Sequence, residues 1–199
     1  MISSTQTLPE GYIRIVEINL AKKKGLAVLL NIIGLFISIV TFVLSLSFTN
    51  WFIPGQFLNA YVFRADLVTI SWLLVLIILV IISLMVHEFI HSFFFWFFTR
   101  SKPVYAVHLA YAYAAAPGWY IPVRQYRIIG LAPLVLMDVV GLLMITLVPP
   151  NWLLILVILI AFNTGGSVGD MWIMWNTLRK SPECLVNDVG DGVTFFEAP

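Results

Sequence analysis

Val86-His87-Glu88-Phe89-Ile90-His91 sets two imidazoles and a carboxylate inside Leu67–Thr99, a run in which Glu88 is the sole formally charged residue. The reading of this stretch decides the rest. On a helix, positions four apart share a face, so His87 and His91 can each offer a ring nitrogen to one metal ion. Glu88, one step round, reaches water held at the same point. Two histidines leave room for a carboxylate ligand and an open, water-filled position, the arrangement that separates a catalytic zinc site from a closed structural one. The plainer alternative is a membrane helix that buries these groups for packing. It is disfavoured because ionisable residues in a span cost several kcal/mol unless they are used.

Working outward, the chain has 199 residues, of which 61% are hydrophobic and 11% charged. That balance lies outside the range of soluble domains and predicts an integral membrane protein. A span needs about 20 apolar residues. Uncharged runs of that order occur at Gly25–Phe48, within Leu67–Thr99, around Ile128–Val148 and around Trp152–Leu178. The expected fold class is therefore a mainly α membrane protein with four transmembrane helices and a membrane-associated β-hairpin between the second and third. Leu67–Thr99 would be about 50 Å long as a helix, so it must tilt, bend or project. A net charge of +1 and no basic patch with interleaved aromatics argue against nucleic acid as a partner. With Cys184 as the single cysteine, neither an intrachain disulfide nor a cysteine zinc site can form.

Residues 1–24 form a polar leader without a cleavable signal pattern, and Tyr12–Leu20 half-alternates as an interfacial strand or helix would. Lys22-Lys23-Lys24 abuts the first span and should stay in the cytoplasm. Arg100, Lys102, Arg124 and Arg127 follow the second span, and Arg179 and Lys180 follow the fourth. Both termini are thus expected inside, with 25–178 as a single membrane domain and 179–199 as a cytoplasmic tail. The loop from Thr49 to Asp66, with Arg64 as its one cation and aromatics at Trp51, Phe52, Phe57, Tyr61 and Phe63, suits an outer interface. Val104–Val123 loses the helical period and predicts the hairpin, with Pro117-Gly118 as its turn and Pro122 on an edge strand. His108 in that segment is more simply a hydrogen-bonded bystander than a ligand. Asp188, Asp191 and Glu197 lie beyond the last span and read as solvated.

The third ligand has two candidates. His91 precedes Arg100, and Asp170 precedes Arg179, by the same nine positions, about 13 Å of helix, so the two share a depth. Asp138, slightly deeper past Arg127, is also within reach. It could ligate the metal, or hydrogen-bond a ligand histidine from behind. Asn163-Thr164-Gly165-Gly166-Ser167-Val168-Gly169-Asp170 interrupts the fourth span, since each glycine weakens a helix by about 1 kcal/mol relative to alanine. Its glycines either unwind the backbone beside an active centre or allow close helix packing.

His87-Glu88-x-x-His91 in a membrane helix, a following β-segment and Asn163 seven residues before Asp170 resemble the site-2 protease family of intramembrane zinc peptidases. The resemblance covers the second to fourth spans, residues 67–178. With Leu8–Tyr12, Leu131-Ala132-Pro133 and Ser181-Pro182 added, nearly the whole chain is similar to the bacterial putative zincin peptidases. Where site-2 proteases carry prolines and Leu-Asp-Gly, this chain has Gly165, Gly166 and Met171. The resemblance implies that Asp170 is the third zinc ligand and that Asn163 holds substrate backbone. The expected activity is a membrane-embedded zinc metallopeptidase of the bacterial cytoplasmic membrane, with Glu88 as base, acting on a membrane protein or peptide. The alternatives are a silent zinc-binding scaffold that grips transmembrane segments, and a metal transporter. Intact Glu88 argues against the first, and the lack of a longer histidine-rich or acidic path against the second.

Overall fold

The computed structural model describes residues 3–20, 22–55, 67–107 and 112–198. The expectations for Phe57, Tyr61, Phe63, Arg64 and His108 concern residues outside that set. In chain order the elements are β1 (Ile13–Asn19), α1 (Lys24–Phe52), α2 (Leu67–Thr99), β2 (Val104–Val107), β3 (Ala112–Ala115), β4 (Ile121–Pro122), α3 (Val123–Met144), α4 (Leu153–Gly166), α5 (Val168–Thr177), β5 (Leu185–Asp188) and β6 (Gly192–Glu197). The helices α1, α2 and α3 are each long and apolar enough to cross a membrane, and α4 with α5 make a fourth if the interrupted pair is one span. Their apolar side chains point outward: Leu35, Phe36, Leu74 and Ile78 are all exposed, as lipid-facing residues would be.

The packed chain forms two units. One comprises residues 1–30, 88–133 and 169–199. It carries an antiparallel sheet in the order β1-β6-β5-β4 and the two-stranded sheet β2-β3. Its core holds Phe95, Ile121, Val123, Ile129, Val186 and Phe195. The leader is tied in by paired backbone bonds between Thr5 and Tyr120, and by the Tyr12 hydroxyl donating to Glu183 O. Arg127 donates to both the Thr177 hydroxyl and the Thr177 carbonyl, satisfying an acceptor at the end of α5. The other unit, residues 31–87 and 134–168, is helical. Ile145, Leu153 and Ile160 are buried at its centre, and Trp72 meets Trp152 edge-on.

Three expectations are corrected and one open reading is decided. The loop expected to begin at Thr49 begins later, since α1 continues through Phe52 and takes in Trp51. The hairpin is narrower than Val104–Val123: β2 pairs with β3 in the register Val104↔Ala115 to Val107↔Ala112. Pro117-Gly118 therefore turns the chain after the second strand, not within the hairpin, and Ile121-Pro122 pairs instead with Val186 and Leu185. Pro122, lacking an N–H, does lie in an outer strand of that sheet. The leader segment is a strand, paired with β6 from Ile13↔Glu197 to Asn19↔Gly192. Finally, the tail is not uniformly solvated. Leu185, Val186 and Phe195 are fully buried, and Asp188 is buried with them.

The interruption in the fourth run falls at Ser167, whose N–H and hydroxyl both donate to Asn163 O. Both readings of its glycines have support. A Cβ on Gly165 would stand 2.5 Å from Gly34 O, a contact only glycine allows, whereas one on Gly166 or Gly169 would meet nothing within 4 Å.

Candidate metal centre

Helix α2 runs unbroken through the motif, so His87 and His91 lie one turn apart on one face. Asp170 stands in the first turn of α5, just past the interruption at Ser167. One donor atom from each of His87, His91 and Asp170 can be chosen so that all lie within 4.8 Å of one another. His91 Nε2 is 3.4 Å from Asp170 Oδ2. Zinc–ligand bonds of about 2.0–2.1 Å at tetrahedral angles put donors about 3.3 Å apart, so this pair has the separation that zinc requires. His91 Nδ1 lies 2.9 Å from Ile129 O. A carbonyl can only accept, so Nδ1 carries the proton and the lone pair lies on Nε2, on the Asp170 side. The donor set fits zinc in number, atom type and tautomer.

Beside His91 and Asp170 is a cavity of about 100 Å³, lined among others by Glu88, Tyr113, Tyr126 and Asp188. It is large enough for more than one water. The Tyr126 hydroxyl donates to Asp188 Oδ2 at 2.6 Å, and the Gly190 N–H donates to Oδ1 at 2.8 Å. Burial pushes the Asp188 carboxyl above the usual carboxylate range, and these two donors counter it in part. Sequence reasoning missed this wall of the site. The alternation of Val193-Thr194-Phe195, the mark of a half-buried strand, was the signal that could have found it.

Asp138 is not among the clustered donors. Its Oδ1 accepts from Asn163 Nδ2 at 2.8 Å, and its Oδ2 lies 2.7 Å from the Thr164 hydroxyl. Asn163 Oδ1 in turn lies 3.0 Å from His87 Nδ1. Both ends of the Asn163 amide are thus engaged by side chains, and Asn163 itself is buried.

Helices of membrane-spanning length, with two histidines and an aspartate placed as a zinc donor set, define a membrane-type metalloprotein. Residues 80–185, more than half of the chain, match the model of a family described as putative zincin peptidase. The chain belongs to that family, and the matched stretch contains His87, Glu88, His91, Asp138, Asn163 and Asp170. No curated protein and no solved structure gives a significant match. Zinc is the cofactor the family implies, and the donor set accommodates it.

Proposed function

We propose that this protein is a membrane-embedded zinc peptidase that hydrolyses peptide bonds in or near the bilayer. The observation that carries the reading is one cavity lined by Glu88, His91 and Asp170 together, in a chain whose helices are long and apolar enough to cross a membrane. His87, His91 and Asp170 would hold the zinc. When bound, zinc supplies a Lewis acid that lowers the pKa of water and polarises a carbonyl. Glu88 takes one proton from the attacking water as its oxygen adds to the scissile carbonyl carbon. It then gives that proton to the amine nitrogen as the C–N bond breaks. Four spans with both termini in the cytoplasm fit the basic residues beside the helix ends.

A helix hides its carbonyls within its own hydrogen bonds, so a helical substrate must be unwound before it is cut. Strand β3 supplies Tyr113 and Ala114 to the cavity wall, and an extended segment aligned by the β2-β3 sheet would lie next to Glu88. Zinc content and peptide cleavage of purified wild type and Glu88→Gln test the assignment. The expected result is full metal with cleavage reduced by about 10²–10⁴-fold. Undiminished cleavage by Glu88→Gln would remove the glutamate from the mechanism, and the reading with it.

A further inference from the structure

His87, Asn163, Asp138 and Thr164 form a chain of side-chain hydrogen bonds whose direction can be worked out from one end. Asp138 Oδ1 takes a proton from Asn163 Nδ2. That contact fixes the orientation of the amide, because a carboxylate cannot donate to it and only the NH₂ end can donate. Asn163 must then turn its carbonyl oxygen, an acceptor alone, towards His87 Nδ1. Nδ1 must therefore carry the imidazole proton, which leaves the lone pair on Nε2. His91 reaches the same tautomer by a different route, through the Ile129 carbonyl.

We infer that Asp138 is a positioning residue that sets the tautomer of His87 through Asn163, and so makes His87 competent to bind zinc through Nε2. The inference rests on the reading of His87 as a ligand. Asn163 serves here as a polarity relay, a role distinct from holding substrate. Asp138 needs only to accept a hydrogen bond, and its charge is secondary. An asparagine at 138 can do the same, with its carbonyl towards Asn163 and its NH₂ towards the Thr164 hydroxyl. The Thr164 proton is then given wholly to Ile160 O, 2.9 Å away. An alanine cannot. Without an acceptor at 138, the Asn163 amide can turn over, present its NH₂ to Nδ1 and drive the proton to Nε2, the atom that zinc needs.

The test uses the full-length protein labelled with ¹⁵N-histidine in detergent micelles. Zinc is removed by chelation, the imidazoles are held neutral, and the His87 signal is assigned by its loss in His87→Gln. Wild type and Asp138→Asn should show His87 as the Nδ1–H tautomer, and Asp138→Ala should move population to Nε2–H. Zinc affinity, measured by competition with a chelator dye, should fall by about 10–100-fold in Asp138→Ala and stay near wild type in Asp138→Asn. Observing Nε2–H in the wild type would overturn the inference, and needs no variant to fold. An Asp138→Asn as weak in zinc binding as Asp138→Ala would also overturn it. The ligand reading is checked separately by His87→Ala: unchanged zinc affinity there would dismiss His87 as a ligand, whatever its tautomer.

Discussion

At the scale of single residues, two aspartates in apolar helices have different surroundings and should respond differently to the same change. Asp170 stands 3.4 Å from His91 Nε2, while both oxygens of Asp138 are engaged by Asn163 and Thr164. Asp170→Asn should therefore lose zinc far more severely than Asp138→Asn, with both measured side by side in folded protein. The reverse order would make Asp138 the ligand. Cys184 offers a second test. It is fully buried, and burial pushes its thiol up to about 11 from an ordinary 9.0. Raising a thiol by two pH units cuts the reactive thiolate near neutrality by about 100-fold. Maleimide should label Cys184 slowly in the folded protein at pH 7.5 and fully once it is denatured. The placing of His87 and His91 one turn apart was legible in sequence because four-residue spacing is fixed by the helix itself. Asp188 was not, since its burial depends on Tyr126, which is remote in the chain.

At the scale of elements, the strand reading can be tested with proline, which removes a backbone donor. Proline at Ala112 or Ala114 should slow peptide cleavage and leave zinc content unchanged if the β2-β3 sheet aligns substrate. Equal cleavage by both variants would count against that role. The glycines of α4 should not behave alike. Gly165→Ala would force a Cβ against Gly34 O and the Ser38 side chain, so a loss of about 1–3 kcal/mol is expected. Gly166→Ala meets open space and should melt near the wild-type temperature. Helix α2 was readable because its apolar run is long. The hairpin was not, because Pro117-Gly118 is the strongest turn signal in its neighbourhood, yet it marks the exit from β3. Strand β6 pairs with its neighbour β5 but also with β1, at the other end of the sequence, where no local pattern can point.

At the scale of the whole chain, β1 precedes and β6 follows the membrane-type helices of the described residues, and the two strands are hydrogen-bonded neighbours. Strands of one sheet cannot lie on opposite faces of a bilayer, since the chain between their hydrogen bonds would have to pass through lipid unsatisfied. If the described helices cross a bilayer, the number of crossings must then be even. This supports counting α4 and α5 together as one span, and it does so independently of the basic residues. Cysteines placed at Ser3 and Glu197 should be protected alike from a membrane-impermeant reagent added outside intact cells. Labelling at either would refute the cytoplasmic placement, and labelling at one alone would break the sheet as well. The slow native Cys184 keeps the background of that measurement low.

The same pairing bears on when the protein can first act. Asp188, Gly190 and Val193 wall the cavity beside Glu88, and they belong to the segment translated after the last helix. Until that segment closes against β1, the cavity beside Glu88 lacks a side. On the function proposed above, a newly inserted copy would stay inert toward its neighbours until β6 has paired with β1, a built-in delay between insertion and competence.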